Sequence, residues 1–296
     1  MLCGIKNNKR RKNLMSGVNN KKLDEQLIRV VINQNGDEEV RIRKVKYLLY
    51  LGANKDVFID RKYNLLMKAV DNDDVAMVEV LLDRGANIEA VNWDGESALV
   101  LAIKRKNNEI VSELLEKGAN VNSRKWDGNP VIMAAVVYDN PWVVEKLVQK
   151  GADVDAVGNS FFNATPLFRA VERGNLEVVK ALIKAGANVN YRDEKSGDSV
   201  LLLGVFGGRE KIVFEFLKNG ADVNAKTNLD RDALYWAIKR TNKNIIKMLL
   251  DKGAKVSDKH ILMLEGLKDK EVAGMILNKK NKDCYVGKVL NKELGR

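Results

Sequence analysis

A Gly-Ala pair recurs along this chain at Gly52, Gly85, Gly118, Gly151, Gly186, Gly220 and Gly253, at intervals of 33, 33, 33, 35, 34 and 33 residues. A fixed period in the range of about 20–50 residues restricts the fold to stacked supersecondary units, none of which can bury its own apolar face alone. Each pair closes an apolar helical run, as Val78, Leu81 and Leu82 do before Gly85. Glycine just past a helix end supplies the left-handed backbone that caps the last carbonyls. Asn, Asp or Lys and usually an aliphatic residue follow the alanine, so the chain is expected to leave each cap extended.

Between the pairs the apolar spacing predicts two short helices per unit. Leu65, Leu66, Ala69 and Val70 outline a first helix, Asp73-Asp74 breaks and caps it, and Val75, Met77, Val78, Leu81 and Leu82 outline a second. The pattern returns as Leu99, Ala102 and Ile103 with Ile110, Val111, Leu114 and Leu115. It returns again as Ile132, Ala135 and Val136 with Val143, Val144, Leu147 and Val148, where Pro141 takes the first helical position behind Asn140. Helices of two to three turns are unstable alone in water, so stacking must hold them. Ala69, Ala102, Ala135, Ala170 and Ala237 recur at one position, where a small side chain would let neighbouring helices approach closely.

The ends depart from the pattern, as terminal units of an array must because one side faces water. Leu23, Leu27, Val30 and Val31 make a helical stripe, residues 33–36 break it, and Val45, Leu48 and Leu49 rebuild it. At the other end Ile261, Leu262, Leu264 and Leu267 predict one helix and Val272, Met275, Ile276 and Leu277 a second, with Gly266 and Gly274 interrupting. His260, at the start of this closing cap, is expected to cap or face solvent. The two long intervals place their extra residues at loop tips, 157–163 and 193–196, where insertions spare a stack.

The net charge of +11 suggests a polyanion until it is located. Residues 1–22 carry +7 and 278–296 carry +4, leaving 23–277 balanced at 38 bases and 38 acids. The expected organisation is therefore a basic, weakly structured arm (1–22), a neutral array of about eight units (23–277) and a basic tail (278–296). The two cysteines, Cys3 and Cys284, lie in the tails, which excludes a disulfide framework and fits a reducing compartment. No apolar run approaches the roughly 20 residues that span a bilayer, and no apolar segment follows the basic N-terminus as a signal peptide would require.

In one unit, Thr165-Pro166-Leu167-Phe168 is followed by Glu177-Val178-Val179-Lys180-Ala181-Leu182-Ile183 and Gly186-Ala187-Asn188-Val189-Asn190. These segments resemble the Thr-Pro-Leu-His, Glu-Val-Val-Lys-x-Leu-Ile and Gly-Ala-Asn-Val-Asn signatures of the ankyrin-repeat family, over about residues 23–277. The resemblance implies an all-α fold, a solenoid of stacked antiparallel helix pairs with short β-hairpin fingers. One departure is systematic. The histidine that ties neighbouring fingers in the family is replaced by Met67, Val100, Met133, Phe168, Leu202 and Tyr235, so burial is expected to substitute for that polar tie.

No phosphate loop, Cys-x-x-Cys or His-Glu-x-x-His occurs, and a single histidine excludes a multi-His metal site. No catalytic residues, cofactor or metal are expected, and the fold analogy points to recognition. Trp93-Asp94-Gly95 and Trp126-Asp127-Gly128 repeat one finger tip, and Phe161-Phe162 follows in the next unit. The inner ends of the first helices add Lys104, Arg105, Tyr138, Glu172, Arg173, Phe206, Lys239 and Arg240. Aromatic side chains flanked by arginine are the usual make-up of a protein-binding surface, although tip tryptophans can also pack on the next finger. Trp142 and Trp236 fall on helices, where packing is the expected role. The expected function is a monomeric, cytoplasmic scaffold binding a protein or peptide. The alternatives are nucleic-acid or anionic-surface binding through the basic tails, and a host-directed effector acting in a host cell's cytosol or nucleus.

Overall fold

Local sequence decides where each helix begins. Asn64, Ser97, Thr165, Ser199 and Asp232 cap first helices, accepting hydrogen bonds from the backbone N–H three residues on at 2.8–3.4 Å. Asp74, Asn107, Asn140, Asn175 and Asn242 cap second helices in the same way at 3.0–3.2 Å. Each cap satisfies an N–H that the helix itself leaves without a partner.

The structure, a computed structural model, describes residues 20–125, 127–159, 164–265 and 267–293, the side chains of 282–293 excepted. The basic arm to residue 19, Trp126, Phe161, Phe162 and Gly266 lie outside the described residues. The chain divides into two compact units, Met1–Ala152 and Asp153–Arg296, with the division inside one Gly-Ala-Asp segment. The first holds α1 (20–32), α2 (Glu38–Tyr50), α3 (Leu65–Asp71), α4 (Val75–Asp83), α5 (Ala98–Arg105), α6 (Asn108–Glu116), α7 (Val131–Val137) and α8 (Pro141–Gln149). The second holds α9 (Pro166–Arg173), α10 (Leu176–Lys184), α11 (Val200–Phe206), α12 (Glu210–Lys218), α13 (Ala233–Lys239), α14 (Lys243–Asp251), α15 (Asp258–Leu262) and α16 (Lys270–Glu293).

Within each unit first helices pack on first helices (α3 on α5 on α7, α9 on α11 on α13) and second helices on second helices. Helices α5 and α11 therefore have a first helix on each side and a second helix behind. In α3 five of seven residues are buried, Leu65, Leu66, Met67, Ala69 and Val70. Burying each large apolar side chain contributes about 1.5–3 kcal/mol, and this stabilises helices too short to stand alone. The recurrent alanines are fully buried at these contacts. In α11 the same position is Gly204, whose absent Cβ would lie 3.4 Å from Val213 Cγ2.

The second helix of a repeat ends in a Schellman cap at Gly85. Gly85 takes a φ of 74°, its N–H donates to Leu82 O at 2.8 Å, and that of Ala86 donates to Leu81 O at 2.9 Å. Ala86 is buried beneath the turn, and the arrangement recurs at Gly118, Gly151, Gly186 and Gly253. The fingers are thinner than hairpins. Among the described residues they show isolated antiparallel bridges, such as Phe58 with Asn64 and Val91 with Ser97, and no sheet.

The C-terminal end differs from expectation. Helix α15 stops at Leu262, leaving Leu264 and Leu267 outside it, while α16 runs unbroken through Gly274 to Glu293. The basic segment 278–293 is thus helical. Asp269 Oδ1 caps the start, accepting from Glu271 and Val272 N–H. The following Lys- and Asn-rich sequence contains no proline, and a nucleated helix extends at little cost per residue.

Candidate interaction surface

A polar ladder positions the fingers. The last residue of the Gly-Ala-Asn-Val-Asn segment is Asp56, Glu89, Asn122, Asp155, Asn190 or Asn224 in successive repeats. Its side chain accepts from a backbone N–H of the following repeat, as Asn87 onto Asp56 (2.7 Å), Asn120 onto Glu89 (2.8 Å), Asn188 onto Asp155 (3.1 Å), Asp222 onto Asn190 (2.7 Å) and Lys255 onto Asn224 (2.9 Å) show. The asparagine amides also donate to the next glycine carbonyl, Asn122 to Gly151 at 3.0 Å and Asn224 to Gly253 at 3.3 Å.

Five of the six residues replacing the family's histidine, Met67, Val100, Met133, Phe168 and Leu202, are buried as expected. Tyr235 is only half-buried. The chain's one histidine, His260, occupies the corresponding position in the closing repeat, third in α15 behind the N-cap Ser257. It caps as expected, but it is buried and does not face solvent. Its Nδ1 accepts from Ser257 N–H at 3.1 Å, and its Nε2 lies 3.1 Å from Asp232 Oδ1, the N-cap of α13. Here the polar tie between repeats survives.

In the first unit Trp93 stands on its finger 58% exposed. Its backbone N–H donates to Arg61 O at 3.2 Å, and the Arg61 guanidinium lies 4.3 Å from the indole centroid. Exposed Phe58 and Val91 line the same groove. The cations at the end of α5 are neutralised instead. Lys104 Nζ lies 3.4 Å from buried Glu96, which Lys125 also approaches at 3.5 Å. Arg105 pairs with Asp73 at 3.1 Å and Asp71 at 3.7 Å. Tyr138, half-buried, is the C-cap of α7. Of the expected aromatic row only Trp93 lies among the described residues.

In the second unit Phe206 and Arg240 come together. Phe206, the last residue of α11, is 43% exposed and meets Trp236 edge to face at 5.1 Å. Arg240 Cζ sits 4.4 Å from the Phe206 centroid. Tyr235 packs perpendicular to Trp236 at 5.5 Å. Arg231 and Lys239 lie 5.6 and 5.1 Å from the Trp236 centroid. Arg173 ends α9 and is exposed. Sequence reasoning assigned Trp236 to packing and passed over Arg231. A signal was present, because Trp236 stands where α3 has Lys68 and α9 has Arg169, a position half-open to solvent.

Among the described residues no group of three or more His, Cys, Asp or Glu is placed to hold a metal ion, and no helix is long and apolar enough to cross a membrane.

The family model for ankyrin repeats (three copies) matches residues 27–125, 66–158, 132–227 and 167–260. Over 84 residues the chain is 40% identical to an ankyrin repeat protein of Acanthamoeba polyphaga mimivirus, covering 27% of this chain and 52% of that protein. Over 122 residues it is 30% identical to an ankyrin repeat protein of Fowlpox virus (strain NVSL), covering 31% and 28%. The chain thus spans about half, or about a quarter, of the length of these relatives. Its structure is similar to the ankyrin repeat domain of Bcl-3, a member of the IkappaB protein family, with a TM-score of 0.66 and 27% identity over 75% of this chain and 96% of that one. It is also similar to an ankyrin repeat domain from Acinetobacter baumannii AYE, with a TM-score of 0.59 and 30% identity over 64% and 98%. With the family model spanning most of its length and both the helix pairs and their glycine caps in place, the chain belongs to the ankyrin-repeat family.

Proposed function

We propose that this chain is a non-enzymatic interaction scaffold that takes a protein or peptide on the surface formed by its fingers and first helices. Ankyrin repeats are generally protein–protein interaction domains, so the fold sets the class and the side chains must supply the site. The observation that carries the reading is where aromatic rings stay exposed beside cations. Trp93 with Arg61 lies on a finger, and Phe206 with Arg240 lies at the end of a first helix. Aromatic and arginine side chains dominate the energetics of protein interfaces. The cysteine-free repeats favour a reducing compartment such as the cytoplasm, and the reading takes the chain as a monomer there.

The test is capture of peptides from a random display library by the full chain. Trp93→Ala or Phe206→Ala should weaken bound peptides by at least about 2 kcal/mol, as central interface aromatics do, with little change in melting because both rings are exposed. Deleting residues 1–19 should leave capture intact. Binding that collapses with that deletion, or falls steeply between low and moderate salt as phosphate contacts do, would put the basic tail in place of this surface.

A further inference from the structure

Arg231, Lys239 and Arg240, gathered about Phe206 and Trp236, differ from the cations at the end of α5 in having no acid to neutralise them. Lys104-Arg105 and Lys239-Arg240 both close a first helix. Arg105 reaches Asp71, 34 residues earlier. The residue 34 positions before Arg240 is Phe206, and Arg240 lies on its ring instead. Lys226 and Lys259 share Asp230, at 2.7 and 3.9 Å. Among the described residues no carboxylate lies within 4.0 Å of Arg231, Lys239 or Arg240.

From this geometry we infer that the Phe206–Trp236 cluster is a binding site for an acidic peptide segment, with carboxylates on Arg231, Lys239 and Arg240 and an apolar side chain against the exposed edge of Phe206. The inference rests on the reading of the chain as an interaction module and names its partner's chemistry. Charge complementarity selects the occupant. Three like charges gathered about two touching rings repel one another, and carboxylates relieve that repulsion while matching the guanidinium fork in pairs. The rings hold the cations in place before any partner arrives, so less side-chain freedom is lost on binding. A solvated lysine face has no such preorganisation.

The same contacts disfavour a nucleic acid. Single-stranded bases bind by stacking on open aromatic faces. Here Arg240 stands over Phe206, and Arg231 and Lys239 over Trp236. Arg231 and Lys259 also stand over Tyr235, each at 5.5 Å.

The experiment uses the full chain, so that both basic termini are present throughout. A random sixteen-residue peptide library is first depleted on the Arg231→Glu/Arg240→Glu variant and then selected on the unmodified chain, which cancels whatever the termini bind. Melting of the variant within a few degrees of the parent establishes its fold, and Arg231→Gln/Arg240→Gln replaces it if it does not fold. The expected survivors carry at least two Asp or Glu around an aliphatic or aromatic residue. Synthesised, they bind the parent at least tenfold tighter than the variant, and a sixteen-nucleotide oligothymidylate does not displace them at equal concentration. Survivors without acidic enrichment, survivors held equally by the variant, or displacement by the oligonucleotide overturn the proposal. An undepleted library whose captured peptides respond to Trp93→Ala but carry no acidic bias would retire this site and leave the interaction module standing. Retention of no peptide at all retires both.

Discussion

Gly174 and Gly204 answer opposite demands at the scale of one residue. Gly174 follows α9 with a φ of 75°, and a Cβ there would meet Arg209 Nε at 2.8 Å. Arg209 is not free to retreat, because its Nη2 donates to Glu172 O at 2.6 Å. Gly174→Ala should therefore cost about 1–3 kcal/mol, through left-handed strain and a displaced guanidinium. Gly204 is helical and meets only ordinary contacts, at a position where five other repeats hold alanine. Gly204→Ala should stabilise by about 0.5–1 kcal/mol by restricting the unfolded chain. Urea denaturation of both variants checks the pair, and a loss of stability in Gly204→Ala would mean that α11 packs more closely than its neighbours. Asp71 supplies a pH-dependent case. Burial opposes its ionisation, but hydrogen bonds from Lys68 and Tyr63, with the charges of Lys68 and Arg105, outweigh it and hold the carboxyl below its usual range. A carboxylate depressed in the folded state stabilises above its unfolded pKa, about 3.9, and that stabilisation is lost as pH falls through the lower folded value. The stability advantage over Asp71→Asn should thus be constant above about pH 5 and shrink towards pH 3. Denaturation series at these values would show it, and a pH-independent difference would count against the assignment.

Between elements, two kinds of contact hold repeat to repeat. One is apolar and lies along the alanine positions. Ala135→Leu should overpack the contact of α7 with α5 and cost about 1–3 kcal/mol. The other is the asparagine ladder. Asn224 accepts from Lys255 N–H and donates to Gly253 O. Both bonds are exposed, so Asn224→Ala should cost only about 1 kcal/mol. Its signature is spatial, with amide exchange accelerating at Lys255 and the α14 cap while α9 and α10 keep their protection. Exchange unchanged at Lys255 would show the rung to be idle.

At the scale of the molecule, stability in a repeat protein is close to a sum of repeat and nearest-neighbour terms. The Ala135→Leu defect should then loosen α5 to α8 while α13 and α14 keep their exchange protection. Uniform loss along the chain would point to longer-range cooperativity than that sum contains. On the function proposed above the same economy of neighbours applies: a repeat's binding character would follow from what the adjacent repeat places beside its own helix ends, as the Arg105 and Arg240 surroundings illustrate.

Those two arginines also divide what the sequence determined from what the tertiary structure decided. Caps, turns and small-residue contacts were legible because their causes lie within a few residues. Glycine after a helix must take the left-handed state, Asn or Asp before one must cap it, and alanine at a 33-residue period marks a helix contact. The family's histidine was harder to find. Ser257-Asp258-Lys259-His260 shares only the serine-type cap and the histidine with the signature, and its burial depends on Asp232 in the preceding repeat. The helical course of 278–293 was missed because it lacks an apolar period, while propagation from α16 needs none. The candidate site was least legible. Lys104-Arg105 and Lys239-Arg240 read alike along the chain, and only the fold sets one against carboxylates and the other against aromatic rings. Charge neutralisation depends on which side chains lie within a few ångströms, and for stacked repeats those belong to a different turn of the sequence.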